Sequence, residues 1–376
     1  MKPTRRGVEV REFLLDSIPV HPNDVVARTC ERFGITRQAV SRHMHVLIKE
    51  GLVSAEGRTS QRSYKLVTLT SKIFTAPLDE LKEDRFWRQE VGPFLAGVRD
   101  NVLQIWQYGF TEMVNNAIDH SGGTKVTVTV ETTAATTTVW ITDDGVGIFR
   151  KIQAELGLED ERHAILELAK GKLTTDPKRH TGEGIFFASR MFDDYVILSG
   201  GVYFSHKTGE EEDWILERDR PGGGTTVVMS LRNRSDRTAK QIFEKYTASP
   251  KDFGFNRTIV PVRLAKHGAE QLVSRSQAKR LLARFERFKV VILDFAEIDE
   301  IGQAFADEIF RVYSLQHPEV RIVPANTGPE VKRSIKRAKT GGAVLPFNRM
   351  DRQILKVPAP ALRLTPGSAT RPPRAR

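Results

Sequence analysis

The chain opens with short apolar stripes at helical spacing, separated by polar turns. Val8 to Ser17 predicts one helix. Pro22 sits where a first-turn proline is tolerated, and Asp24 to Phe33 predicts a second helix, with Val25, Val26, Cys30 and Phe33 on a single face. Gly34 suits a left-handed stop, and Thr36 can cap a third helix, Arg37 to Glu50. In that helix Val40, Met44, Leu47 and Ile48 face inward, leaving Arg37, Gln38, Ser41, Arg42 and His45 outward near its start. Gly51-Leu-Val then leads to Arg58 through Lys65, a polar hairpin that includes Arg62 and has Gly57 near its turn.

The middle of the chain changes period twice. Phe94 to Asp119 fits one long helix or two abutting ones, with Phe94, Leu95, Val98, Val102, Ile105 and Trp106 spaced for a buried face. Lys125 to Glu131 and Thr136 to Thr142 alternate with the period of two expected of a hairpin. After mixed helix and loop come strands over Tyr195 to Leu198, Val202 to Ser205 and Trp214 to Leu216. "PGGGTTVVMSL" adds a turn leading into a last strand. From about 238 the pattern is βαβαβα: "RTIVPVRL", "SRSQAKRLLARFERF", "KVVILDF", "GQAFADEIFRVYSL", "VRIVPAN" and a helix from Thr327 to Arg337. That alternation implies a mostly parallel sheet. Periodicity stops near Thr340, where Pro, Gly and Arg predict a disordered tail. The expected domains are 1–67, 75–232, 238–337 and a tail over 340–376.

Composition refines this division. A chain of 376 residues exceeds what one core supports. No apolar run approaches the roughly 20 residues of a membrane span, no signal-peptide core follows the basic start, and Cys30 is the single cysteine. A cytoplasmic protein is therefore expected. The net charge of +11 sits at the ends: residues 331–376 carry 12 Lys/Arg against Asp351 alone, and residues 1–66 carry 12 Lys/Arg against 7 acids. The tail suits either sequence-independent contact with nucleic acid by counterion release or a solubilising role.

Candidate chemistry concentrates in three places. On the long helix, Glu112, Asn116 and Asp119/His120 recur at spacings of three and four and share a side. Polar groups so placed on a mostly buried helix need an enclosed ligand, unless the helix end simply emerges into solvent. Asp143-Asp-Gly-Val-Gly-Ile148 follows a strand, a placement that suits a carboxylate receiving a purine amino group with Gly145 and Gly147 admitting the ring. His180-Thr-Gly-Glu-Gly-Ile185 opens a helix, where free N–H groups meet phosphate oxygens. Either glycine motif alone is weak, and the second could be an ordinary turn.

The order of these motifs, ending in Gly-Thr-Thr-Val, resembles the GHKL superfamily of gyrase B, HSP90, MutL, sensor histidine kinases and anti-sigma-factor serine kinases. That resemblance covers about residues 75–232. It implies ATP and Mg²⁺ as ligands. Asn116 would ligate the metal, Asp143 would bond the adenine amino group with support from Thr225, and Ile148, Thr181, Gly182, Gly184 and Ile185 would close on the nucleotide. It also implies a mobile lid over 149–181, His120 shaping the phosphate end, and His180 at the lid hinge rather than acting as an acid or base. Glu112 occupies the general-base position of ATPases and serine kinases, where sensor histidine kinases usually carry Asn.

"ITRQAVSRHMHVLIKEGLV" with its following hairpin resembles the winged helix-turn-helix of bacterial transcription regulators. That implies double-stranded DNA as a partner read by Arg37, Gln38, Ser41, Arg42, Arg58 and Arg62. A helical interaction domain with a solvated basic face fits the same pattern. The C-terminal unit resembles a STAS-like domain but lacks a hydroxyl in Asp299-Glu-Ile-Gly-Gln303, so it is not expected to be the phosphoacceptor of its own kinase.

The expected fold class is multidomain α+β: a winged helix-turn-helix, a Bergerat-type α/β sandwich with a mixed sheet under helices, and a STAS-like α/β domain. The expected function is a regulator coupling nucleotide state to DNA and to a regulatory protein partner, with slow ATPase activity and scope for a homodimer. Two rivals are a serine/threonine kinase acting on a separate protein and a pocket whose nucleotide is only structural.

Overall fold

A computed structural model describes residues 4–57, 62–173, 182–207, 214–247, 254–266 and 270–340. Arg58, His180, Thr181 and the tail beyond Thr340 lie outside the described residues.

Three helices form the head: α1 (Arg5–Ser17), α2 (Val25–Phe33) and α3 (Arg37–Lys49). Gly34 ends α2 with φ of 61°, and the Thr36 hydroxyl accepts the Ala39 amide at 3.3 Å to start α3. Strands β1 (Val53–Glu56) and β2 (Ser63–Leu66) pair antiparallel beside them. Val10, Leu14, Val25, Val40, Met44 and Leu47 form the head's own core.

The central unit is built on a five-stranded sheet in the order β3-β4-β5-β7-β6: β3 (Thr70–Pro77), β4 (Lys125–Thr132), β5 (Thr136–Asp143), β7 (Trp214–Arg232) and β6 (Asp194–Lys207). Every neighbouring pair is antiparallel, so the expected mixed sheet is corrected. The long β6–β7 hairpin folds back so that β7 lies between β5 and β6. These two run in the same direction but never touch. The separate strands expected over 195–216 and the "PGGG" turn merge into this one hairpin. The sheet also begins upstream of the expected boundary at 75, because β3 adds an edge that has little apolar alternation to betray it.

The helical layer covers one face. Short turns over Glu83–Phe86 (α4), Trp87–Val91 and Gly92–Leu95 precede α5 (Asp100–His120), whose Val102, Ile105, Trp106, Phe110 and Met113 are buried. Of the two alternatives for this stretch, one long helix is excluded: a 3-10 turn over Gly92–Leu95 precedes a separate helix that starts at Asp100, with Arg99 extended at its N-cap. Helices α6 (Ile148–Leu156), α7 (Glu161–Lys170) and α8 (Gly184–Met191) follow. Helix α7 lies within the expected mobile lid, yet every residue from His163 to Lys170 is buried.

After α9 (Ala239–Lys245), the C-terminal unit carries a parallel sheet in the order β10-β9-β8: β10 (Arg321–Ala325), β9 (Val290–Asp294) and β8 (Arg257–Pro261). Its helices are α10 (Arg275–Leu282), α11 (Gln303–Asp307) continuing through Glu308–Tyr313 into α12 (Ser314–Gln316), and α13 (Pro329–Thr340). The helix expected through "ARFERF" stops at Leu282, because Arg284 turns left-handed with φ of 66°. One continuous apolar core joins the central and C-terminal units.

The head is fastened to the sheet at the β4–β5 turn. Ala135 belongs to the head's core and is 0 % exposed, while Arg234 bonds the Ala134 carbonyl at 3.1 Å and pairs with Asp16 at 2.7 Å. Ala135→Glu would place an unpaired carboxylate in that core at a cost of roughly 3 kcal/mol or more. Limited proteolysis should then release the head while the remainder stays resistant. An unchanged digestion pattern would contradict this docking.

Candidate nucleotide site

Strand β5 delivers Asp143 to the floor of a cavity of about 280 Å³ between the sheet and helices α5, α6 and α7. Asp143 is only 8 % exposed. Its Oδ1 accepts the Gly145 amide at 2.9 Å and the Thr225 amide at 3.2 Å, and among the described residues Oδ2 has no partner. The Thr225 hydroxyl in turn accepts the Ile148 amide at 3.0 Å, tying β7 to the start of α6. One carboxylate oxygen is therefore fixed in place and the other is left for a donor in the cavity. Burial pushes the Asp143 carboxyl above its usual range, opposed by the two amides.

The adjacent acid has a different task. Asp144 accepts the Thr124 and Lys125 amides at 2.7 and 3.0 Å and the Thr124 hydroxyl at 2.8 Å. These bonds pull its carboxyl down to about 2 and make it a turn-closing group at the start of β4.

Helix α5 contributes the other end of the cavity. Glu112, Asn116 and His120, spaced by four, line it together with Met113 and Ala117, whereas Asp119 is exposed and does not. Gly182, Gly184 and Ile185 line the opposite wall at the start of α8. Glycine at 184 is a steric requirement, since a Cβ there would lie 2.0 Å from Glu112 Oε2. The Glu112 carboxylate thus sits against a helix N-terminus, whose free amides favour negative charge. Gly147 caps α6 behind the wall.

Several lining residues lie outside the motifs: Lys151, Ile152, Leu168 and Leu173. Lys151 donates to the His120 carbonyl at 2.8 Å, and half-burial raises the Glu183 carboxyl. A charged basic residue one turn into α6 was the available signal for Lys151, but exposed lysines at that spacing are common.

On the head, Arg37, Gln38, Ser41, Arg42 and His45 line one shallow recess on the exposed side of α3. Arg62 is exposed, stacked over Tyr64 at 5.4 Å. None of these residues lines the nucleotide cavity. No helix among the described residues is long and apolar enough to cross a membrane.

The raised Asp143 carboxyl makes its ionisation a cost to the ligand-free fold. The protonated form's contribution is fully present below the ordinary value of 3.8 and is lost as the pH rises through the raised folded value. Asp143→Asn should therefore leave the melting temperature at neutral pH equal to or above that of the wild type. The difference should close on acidification, as followed by calorimetric melting, and a large loss at neutral pH would show that the carboxylate is structural.

Comparison with known proteins agrees with this geometry. Residues 104–235 match the histidine kinase-, DNA gyrase B- and HSP90-like ATPase family, and residues 277–332 match a STAS-like domain of unknown function (DUF4325). No curated protein matches the chain. The chain thus carries an ATP-binding domain of the histidine kinase, gyrase B and HSP90 type, followed by a STAS-like domain.

Proposed function

We propose that this chain is a nucleotide-controlled regulator in which ATP and Mg²⁺ in the central cavity set how the head meets double-stranded DNA and how the STAS-like unit meets a protein partner. The observation that carries the reading is the half-satisfied Asp143 carboxylate, with Oδ1 fixed by two amides and Oδ2 left for a donor. An adenine amino group supplies that donor.

The far end of the cavity suits a triphosphate with its metal. Glu112 and Glu183 there would repel bare phosphates, and a divalent cation offsets them. Among the described residues no cluster of three acidic, His or Cys groups forms a metal cage. This fits magnesium, which takes few protein ligands and relies on phosphate oxygens and water. The Asn116 amide oxygen would be the protein ligand, and Gly182 and Gly184 amides would face the phosphates. Glu112, beside the start of α8, would accept a proton from an attacking water in slow hydrolysis.

The head supplies the DNA reading. Arg37, Gln38, Ser41 and Arg42 lie together on the exposed face of α3, with β1 and β2 as the wing.

Calorimetry with Mg·ATP on wild type and Asp143→Asn tests the site. Loss of a hydrogen bond to a charged acceptor, about 1.5–3 kcal/mol, should weaken binding roughly 10- to 150-fold. Unchanged affinity would remove the adenine assignment. Glu112→Ala should retain ATP and lose phosphate release, and label from [γ-³²P]ATP retained on a protein hydroxyl would replace the ATPase with a kinase.

For the head, Arg37→Ala/Arg42→Ala should weaken binding to duplex DNA and flatten its salt dependence. Mg·ATP should alter the DNA affinity of the wild type but not of Asp143→Asn. DNA binding indifferent to both changes would leave the head as an interaction module.

A further inference from the structure

The phosphate end of the cavity is held by groups that lie outside the ATPase match. Arg284 belongs to the STAS-like unit, in the left-handed turn after α10. Its Nη1 donates to Glu167 Oε2 at 2.7 Å, and its Nη2 donates to the Gly171 and Lys172 carbonyls at 3.0 and 2.6 Å. Arg287 repeats the contact at the surface: its Nη1 reaches the Lys172 carbonyl at 2.8 Å, and Lys172 Nζ returns to the Arg287 carbonyl at 2.9 Å.

These donors address main-chain carbonyls just past the end of α7, so they fix the path of the backbone there as well as the helix. Apolar docking alone would hold α7 without dictating that path. The next residue carries the restraint into the site. The Leu173 amide donates to the Gly182 carbonyl at 3.1 Å, and the two backbones are so close that a Cβ on Gly182 would lie 2.4 Å from the Leu173 carbonyl. Leu173, Gly182, Glu183 and Gly184 are all cavity walls.

The second flank is held in the same way. Phe186 and Phe187 of α8 pack on Phe255, with ring centroids 4.4 and 4.9 Å apart, and Phe255 in turn meets Phe288 of the STAS-like unit edge to face at 5.3 Å. On the proposed adenine side, by contrast, Asp143 at the end of β5 is fixed from within the central unit.

We infer that Arg284 is a positioning residue of the nucleotide site: by clamping segment 167–173 it sets the phosphate loop Gly182–Gly184, so that the STAS-like unit governs affinity for the triphosphate. This rests on the ATP reading above and adds to it a direction of control. A partner that moves residues 280–287 changes ATP affinity, and ATP changes the affinity for that partner by the same factor.

The test compares ATP, followed by calorimetry with Mg²⁺, and adenosine, followed by NMR titration, on the full chain. Arg284→Ala should weaken ATP about tenfold or more while adenosine stays within about twofold. Arg284→Lys keeps a charge beside Glu167 but lacks the fork that spans the two carbonyls, so it should recover stability and only part of the ATP affinity. Should Arg284→Ala fail to fold, Arg287→Ala removes an exposed half of the clamp and should weaken ATP selectively by a smaller factor. ATP affinity unchanged in the folded variants, or ATP and adenosine weakened equally, overturns the proposal. A wild-type chain that binds neither ligand overturns the ATP reading beneath it, a result the variants cannot mimic.

Discussion

Lys170 imposes the constraint on which the domain arrangement depends. It is fully buried at the end of α7, and an ammonium so placed must find an acceptor for each of its protons. Glu167 accepts one at 2.5 Å, and the Arg280 and Ala283 carbonyls accept the others at 3.1 and 3.0 Å. Burial pulls the Lys170 amine down and Glu167 works against it. Arg284 completes the cluster at 2.7 Å from Glu167. Removing one member of such a buried group typically costs about 3–5 kcal/mol, because the remaining charges lose their partners. The central and C-terminal units therefore share this cluster as well as one apolar core, and α7 cannot leave without exposing both.

The sheet gives the nucleotide cavity its reach in the other direction. Strand β5 begins at Thr136, beside the Ala135 turn that sits in the head's core, and ends at Asp143 on the cavity floor. Strand β7 pairs along it and passes from Thr225, which holds Asp143, towards Arg234, which holds Asp16 of the head. Paired strands are stiff elements, so under the proposed ATP reading a shift at the Asp143 end would reach the head along them. The Gly182–Gly184 end would reach the STAS-like unit by the proposed route through α7 and Arg284. Two ends of one ligand site thus address two different neighbours.

Much of this was legible in the sequence because the signals were local. Gly34 and Thr36 mark helix ends by backbone chemistry, alternation over 125–142 marks a hairpin, and Glu112, Asn116 and His120 share a helix face at fixed spacing. Asp119 shared that spacing pattern, yet it is exposed and lies outside the cavity lining. What the sequence concealed were relations between distant segments. The antiparallel sheet depends on β7 inserting between β5 and β6, which no period records. Helix α7 and the Arg284 turn carry mixed charges that look like solvated surface, and only their mutual burial converts Glu167, Lys170 and Arg284 into a core element. Edge strand β3 escaped notice because only Phe74 and Ala76 turn to the core while Ile73 faces out, an alternation too short to stand out.

Hydrogen–deuterium exchange of the full chain with and without Mg·ATP addresses the central claim most directly, since amide protection reports where a ligand orders the backbone. The account requires slower exchange at 143–148 and 182–185, together with a change at 280–287 in the STAS-like unit. Protection confined to the cavity would contradict the coupling, and unchanged exchange at 143–148 under saturating nucleotide would contradict the site itself.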